Sequence, residues 1–176
     1  MSNLEINNTE DLRKEFLRRA NKLCKYNCPY VWGGNGEKTN KMLAVALLDM
    51  ETSVDNIARI YNYMKKNPPT PYSRIFDCSG LVYYLLRELG LISSDYNADM
   101  FYRKWKCKDI KDIVAGDLLY CMADDGHAYH IGIYAGDNKV IHAKGRDYGV
   151  CKTPYTQNPW SKCNSPFDGY SSRRFP

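Results

Sequence analysis

The amino-acid sequence predicts an α+β fold: N-terminal helices packed on a central antiparallel β-sheet. Three observations predict it. Apolar residues recur at helical spacing through the first ninety or so positions. From Gly116 onward the period changes to two, with Gly, Asp and Asn between the runs. The helical runs come first and the strand runs second, so the parallel sheet of an alternating βαβ chain is excluded.

The first helix is expected over about Asn8 to Lys25. Asn8 or Thr9 caps it, and Glu10 and Asp11 sit in the first turn, where the helix dipole favours acids. Leu12, Phe16, Ala20 and Leu23 share one face, which reads as a packing face. "CPYVWGGNG", Cys28 to Gly36, reads as a tight, close-packed turn. It lacks the Gly-Lys-Ser/Thr that a phosphate loop requires. A second helix is expected from about Lys41 to Lys66. Leu43, Leu47, Met50, Val54, Ile57, Tyr61 and Met64 repeat in alternating steps of four and three, and "NPPTP" stops the run. The stripe is too short to argue for a coiled coil, so packing on the chain's own body is the expectation. A third helix starts at Cys78 and ends near Leu89, with Leu81, Val82, Leu85, Leu86 and Leu89 facing the core and Gly90 ending it. Ser94 to Lys106 is a short helix or a loop. "GDLLYCMA", "YHIGIYAG", "KVIHAKG" and "YGVCKT" are strands, and "GYSSRRF" is expected as a last edge strand.

Composition narrows the functional classes. The 176 residues fit one domain with a real core, and 44% hydrophobic against 26% charged residues is a globular balance. The fifteen tyrosines suit an amphipathic groove, or simply a tyrosine-rich surface. A formal net charge of +5 favours anionic partners, among them nucleic acid, an acidic membrane or an anionic wall polymer. There is no dense basic block, and Arg13, Lys14, Arg18, Arg19 and Lys22 read as the solvated face of one helix, so nucleic acid is not the expected partner. Seven scattered cysteines, with only Cys24 and Cys28 at close spacing, argue against a zinc site and for reduced thiols. The polar "MSNLEINNTE" is not a signal peptide, and "MLAVALL" is too short for a bilayer span; cytoplasmic synthesis without a membrane anchor is therefore expected.

The chemistry centres on "RIFDCSGLVYYLL". Asp77 is a good N-cap, which places Cys78 at the first helical position. There the dipole and free N–H groups favour thiolate over thiol, and the Cys78 N–H can face a developing oxyanion. Gly80 lets another segment approach closely. Taken alone, a small buried cysteine is the more ordinary reading. The chain has only three histidines, however, and two of them stand in adjacent predicted strands: His130 in "HIGIYAG" and His142 in "VIHAKG". If those strands form a hairpin, the two imidazoles stand opposite one another on one face. Thiol, base and orienting group then make a nucleophilic constellation. His127, in "DDGHAY", reads as solvated.

"PYVWGG", "FDCSGLVYYLL", "AGDLLY", "HIGIYAG" and "VIHA" follow one another in an order that resembles the NlpC-type cell-wall cysteine peptidases, papain-like enzymes that cut peptidoglycan stem peptides. The resemblance runs from Pro29 to Ala143. It implies Cys78 as nucleophile, His130 as base and His142 as third polar residue. It also implies that the Tyr30 hydroxyl lies beside the nucleophile, that Asp77 and Ser79 hold a substrate amine, and that Trp32 shapes the groove wall. The chain departs from the common pattern between the Gly-Gly turn and Cys78. Residues from about Glu37 to Ser73 are additional and resemble the inserted helix of phage-type members.

The whole chain, residues 1–176, is thus expected to be one NlpC-type catalytic domain with a helical insertion. The expected activity is hydrolysis of an amide bond in a stem peptide, D-γ-glutamyl to a diamino acid, with no metal and no cofactor. A wall substrate and the lack of a signal peptide suggest a phage or prophage lysin, or a tail or injection-device component. An N-acetylmuramoyl-L-alanine amidase, an acyltransferase or transglutaminase-like enzyme with the same triad, and a catalytically silent wall-binding subunit remain the alternatives.

Overall fold

The structure is a computed structural model that describes residues 8–39 and 50–169. Helix α1, Thr9–Leu23, starts where Asn8 Oδ1 accepts the Asp11 N–H at 2.9 Å, and it buries the four expected residues Leu12, Phe16, Ala20 and Leu23. Strand β1 (Asn35–Lys38) pairs antiparallel with β2 (Arg74–Phe76), and between them runs α2 (Val54–Lys66). This two-stranded ribbon is the base from which the insertion leaves the body. Helix α3 (Cys78–Glu88) and the short α4 (Ala98–Lys104) follow. The second part is a six-stranded sheet made of β3 (Cys107–Lys108), β4 (Leu118–Met122), β5 (Ala128–Gly136), β6 (Lys139–Gly145), β7 (Gly149–Pro154) and β8 (Trp160–Asn164). Its order is β3-β8-β4-β5-β6-β7, and every pairing is antiparallel. The α+β expectation holds.

The core lies between the helices and one face of this sheet. Leu81, Val82, Leu85 and Leu86 of α3 meet Leu118, Tyr120, Ile131, Ile133 and Ile141, with Phe16 and Phe101 filling the flanks. At a typical 1.5–3 kcal/mol per buried large apolar side chain, this layer dominates the stability. The opposite face carries a smaller cluster of Leu119, Cys121, Val140, Trp160 and Cys163.

Two expectations need correction, the continuity of the second helix and its single apolar face. The second helix is not continuous from Lys41 to Lys66: residues 51–53 are non-helical, and Ser53 caps a new helix at Val54 by accepting the Asn56 N–H. Ile60 and Tyr63 are its buried residues, while Val54 is 80% exposed and Tyr61 is also exposed. The four-three stripe drawn across the break is therefore not a single face, and its residues 43 and 47 lie outside the described residues. The expected edge strand "GYSSRRF" also lies almost wholly outside them. The short strands β1, β2 and β3 were not expected from the sequence, nor was β8, which is inserted between β3 and β4. Its burial does not alternate, so period-two reading passes over it. Ser94 to Lys106 resolves into α4, capped by Asn97.

Candidate active site

The start of α3 forms as its residues dictate. Asp77 Oδ1 accepts the Gly80 N–H at 2.7 Å and the Ser79 hydroxyl at 3.1 Å, a side-chain N-cap. Its Oδ2 accepts the Gly33 N–H at 2.9 Å, tying the glycine turn to the helix. The backbones are laced together as well: Val31 N–H donates to Phe76 O, and Asp77 N–H donates to Gly34 O. A Cβ on Gly80 would lie 1.9 Å from Gly34 O, so only glycine admits this approach. Gly33, at φ +74°, takes the left-handed conformation that the turn needs. The result places Tyr30 and Trp32 along the same cleft as Cys78.

The cleft is a cavity of about 570 Å³. Cys78, Asp77, Ser79, Tyr30, Trp32 and His130 all line it, which brings every residue singled out in the sequence to one place except His142. His142 lies behind, fully buried, with its Nδ1 2.8 Å from His130 Nε2. The two histidines are not directly opposite. The register pairs Ile133 with Ile141 and Tyr134 with Val140, so they are diagonal neighbours across the hairpin. Gly132 occupies the position facing His142. A Cβ there would stand 2.9 Å from the Trp160 ring and 2.7 Å from Val140, so glycine makes room for the indole. Trp160 stacks on His130 at 5.4 Å between centroids and meets His142 edge-on at 5.5 Å. His142 Nε2 in turn lies 3.0 Å from the buried Thr153 hydroxyl.

This chain of contacts restricts the tautomers. With Nε2 of His130 committed to His142, Nδ1 is the ring nitrogen left for a proton partner in the cleft. If His130 Nε2–H donates to His142 Nδ1, then His142 Nε2–H donates to Thr153 Oγ1. That arrangement serves the neutral His130 and its imidazolium equally, because Nε2 carries a proton in both.

The charge shifts run against the sequence expectation of a thiolate. Burial, then the neighbouring Asp77 charge, pushes the Cys78 thiol up to about 12, against the opposing pull of the Ile131, Ser79 and Cys78 N–H groups. Burial brings His130 down to about 4. Burial, His130 and Lys144 bring His142 down to about 3. Both shifts favour the thiol and the neutral imidazole over the ion pair. Tyr30 is pushed well up by burial, Cys78 and Asp77, so its phenol remains a donor. Burial also raises Asp77, although its three hydrogen bonds resist the change. His127 is exposed and bonds Asp125 at 2.6 Å, yet it sits on the cleft rim.

The cleft also uses residues that the sequence reading did not select. Glu51, only 3% exposed, accepts from Arg146 Nε at 2.8 Å and Nη2 at 2.9 Å, and also from the Trp32 N–H at 3.0 Å. The Arg146 guanidinium lies over the Tyr30 ring at 5.4 Å. Arg59 of α2 pairs with Asp147. Arg59, Lys144 and Arg146 all line the cavity. No local sequence signal marks Glu51 or Thr153. The Gly-Arg-Asp-Tyr-Gly turn between β6 and β7 was the available hint for Arg146.

Comparison with known proteins matches this architecture. The NlpC/P60 family model matches residues 27–165. Murein DD-endopeptidase MepH of Escherichia coli (strain K12) is 28% identical over 128 residues, which is 71% of this chain and 45% of that protein; the chain thus spans less than half of that relative. The crystal structure of the P60 domain from antigen MAP1204 of M. avium subspecies paratuberculosis superposes with a TM-score of 0.62 at 17% identity, covering 90% of this chain and 97% of that one. RipD from Mycobacterium tuberculosis, described as a non-catalytic NlpC/p60 domain protein adapted to peptidoglycan binding, superposes with a TM-score of 0.56 at 15% identity over 86% of this chain and 95% of its own. At these identities the structural likenesses show the fold.

Proposed function

The chain belongs to the NlpC/P60 family of peptidoglycan hydrolases, and from that premise we propose that it is a cysteine peptidase that hydrolyses the D-γ-glutamyl to diamino acid bond of a stem peptide. One observation carries this reading: Cys78 at the start of α3 and His130, backed by His142 and Thr153, open into one cavity. The RipD likeness keeps a silent wall-binding role in view. The intact Cys-His-His set in this chain favours turnover.

The favoured neutral pair determines the order of events. Cys78 Sγ attacks the amide carbon while its proton passes to His130 Nδ1. The carbonyl oxygen becomes an oxyanion that the Tyr30 hydroxyl and the Cys78 N–H stabilise. The C–N bond then breaks, and the leaving amine takes the proton from His130, leaving a thioester on Cys78. Water attacks the thioester as His130 removes its proton. The thiolate leaves and is reprotonated from His130, freeing the glutamyl carboxyl product. The wall is the site of action, and release of a phage-type lysin is the route we propose to it.

The name of MepH favours a second reading, cleavage of a D,D peptide bond. Digestion of purified muropeptides, followed by mass spectrometry, tests both. A new glutamyl carboxyl paired with a diamino acid amine is the expected product. Release of whole peptides from sugar would mean an amidase, and loss of cross-linked dimers a D,D cut. Intact muropeptides with a folded protein would sink the peptidase reading in favour of the wall-binding one.

A further inference from the structure

The cleft lining includes three cations, but their charges are not equally engaged. Arg59 is matched by Asp147 and Arg146 by Glu51. The described contacts of the Lys144 ammonium are the face of Tyr148 at 4.2 Å and a long 3.4 Å bond to the neutral Gln157. Of the three cations, Lys144 is the one whose described contacts include no carboxylate. Arg146 adds directional donors. Glu51 holds one edge, through Nε and Nη2, so Nη1 and the second hydrogen of Nη2 remain unassigned to Glu51. Its plane is fixed by Glu51 below and by Tyr30 beside it, and Tyr30 is the residue next to Cys78. A guanidinium held in this way loses little entropy on taking a carboxylate.

We propose that Lys144 and Arg146 form a recognition site for a free carboxylate of the peptide substrate beside the scissile bond, with Glu51 of the insertion as the positioning residue that sets Arg146. This rests on the peptidase reading above and adds to it which part of the substrate is read. A glutamyl residue linked through its γ-carboxyl keeps a free α-carboxylate on the same residue, three carbons from the carbonyl of the bond to be cut, on the acyl side of that bond. That group is the favoured occupant. The carboxylate of the diamino acid, on the leaving side, offers the same chemistry.

The test uses four stem peptides: the parent, the parent with the glutamyl α-carboxylate as carboxamide, the parent with the diamino acid carboxylate as carboxamide, and the doubly amidated peptide. The measurement is kcat/KM for the wild type and for Lys144→Gln. The wild type should prefer one free carboxylate over its amide by about tenfold or more, as expected for a charge-assisted contact. Lys144→Gln should shrink that preference at least about threefold. Arg146→Gln alone would leave the buried Glu51 charge unmatched, so the double variant Glu51→Gln/Arg146→Gln is used instead, and it should bring the preference close to one. The arm in which the preference collapses identifies which carboxylate is bound. A wild type that cleaves all four peptides with equal kcat/KM, or a preference that survives both variants, would overturn the proposal. No cleavage of any peptide by the wild type would instead remove the peptidase reading, and this proposal with it.

Discussion

On the Cys78 side of the cleft, contacts join segments by backbone: the N-cap of Asp77 three residues ahead, and the Gly34 carbonyl laid against Gly80. On the Arg146 side, a side-chain ion pair spans 95 positions and ties the insertion to the β6–β7 turn. The first wall is built from residues that have few alternatives, such as a glycine with no room for a Cβ and an acid at a helix start. The second depends on two long side chains brought together from distant positions. The comparison teaches a division of labour. Cys78 is placed on rigid backbone geometry, and on the proposal above selection of the substrate falls to side chains brought together from distant pieces.

The largest expected effect strikes the first wall. Cys78→Ser should lower turnover by at least about a thousandfold, since a hydroxyl of far higher pKa replaces the thiol. The fold should stay, with a melting temperature within a few degrees of the parent. His130→Ala should cost about 10²–10⁴-fold, the usual contribution of a general base. Turnover that persisted in either variant on a defined muropeptide would move the chemistry elsewhere in the cleft.

Next comes the second wall. Glu51→Gln keeps an acceptor for the Trp32 N–H but leaves Arg146 without its carboxylate. Breaking a buried pair costs about 3–5 kcal/mol, and because Arg146 is partly exposed we expect about 2–3 kcal/mol in urea unfolding. KM should rise more than kcat falls. A larger effect on kcat than on KM would break the proposed separation between the walls.

How much of this was legible depends on range. Asp77, Cys78, Gly80 and the α3 core face follow from neighbours within a turn of helix, so the sequence carries them openly. The His130–His142 pairing was visible as two strands and a short turn, but its diagonal register was not, because the turn does not fix register by itself. Glu51 was hidden inside an apparently continuous apolar repeat; the break there is set by tertiary bonds to Trp32 and Arg146, which outweigh helical propensity. Trp160 and Thr153 sit in strands whose role depends on the sheet order β8-β4-β5-β6-β7, a global property that local pattern does not encode. The direction in which burial shifts the thiol was hidden for a related reason. The helix start was visible, but the depth of the cleft that desolvates Cys78 was not.

A smaller effect appears in acid. Burial holds His130 near 4 and His142 near 3, below the ordinary 6.5. Between these values and 6.5 the unfolded chain binds more protons than the folded one, so stability is full above about 6.5 and falls as pH drops through the folded values. His142→Asn removes one of these sites and should lessen the loss of melting temperature between pH 7 and pH 4. It should retain part of the turnover, since an amide oxygen accepts the His130 Nε2–H as the imidazole nitrogen does. The acid limb of kcat/KM should lie below the usual histidine range. Complete loss of activity in His142→Asn, equal to that in His130→Ala, would erase the distinction between base and orienting group.

The smallest effect belongs to the residue furthest from the cleft. Thr153 touches no substrate; its hydroxyl meets His142 Nε2 at 3.0 Å, two bonds removed from the reacting atoms. Thr153→Val keeps the shape but leaves a buried ring N–H without an acceptor, a cost of about 1–3 kcal/mol. The inexpensive escape is the other His142 tautomer, with the proton on Nδ1. That tautomer points a donor at His130 Nε2 and opposes the imidazolium that forms during attack. We therefore expect kcat to fall about threefold to tenfold with KM unchanged, the scale of a mispositioned base rather than a missing one. Thr153→Ser should restore most of the loss, because the serine hydroxyl supplies the same acceptor. In the His142→Asn background the Thr153→Val step should have little further effect on kcat, since the link it acts through is gone. Equal losses in both backgrounds would show that Thr153 acts only by packing, and the polar chain would then end at His142.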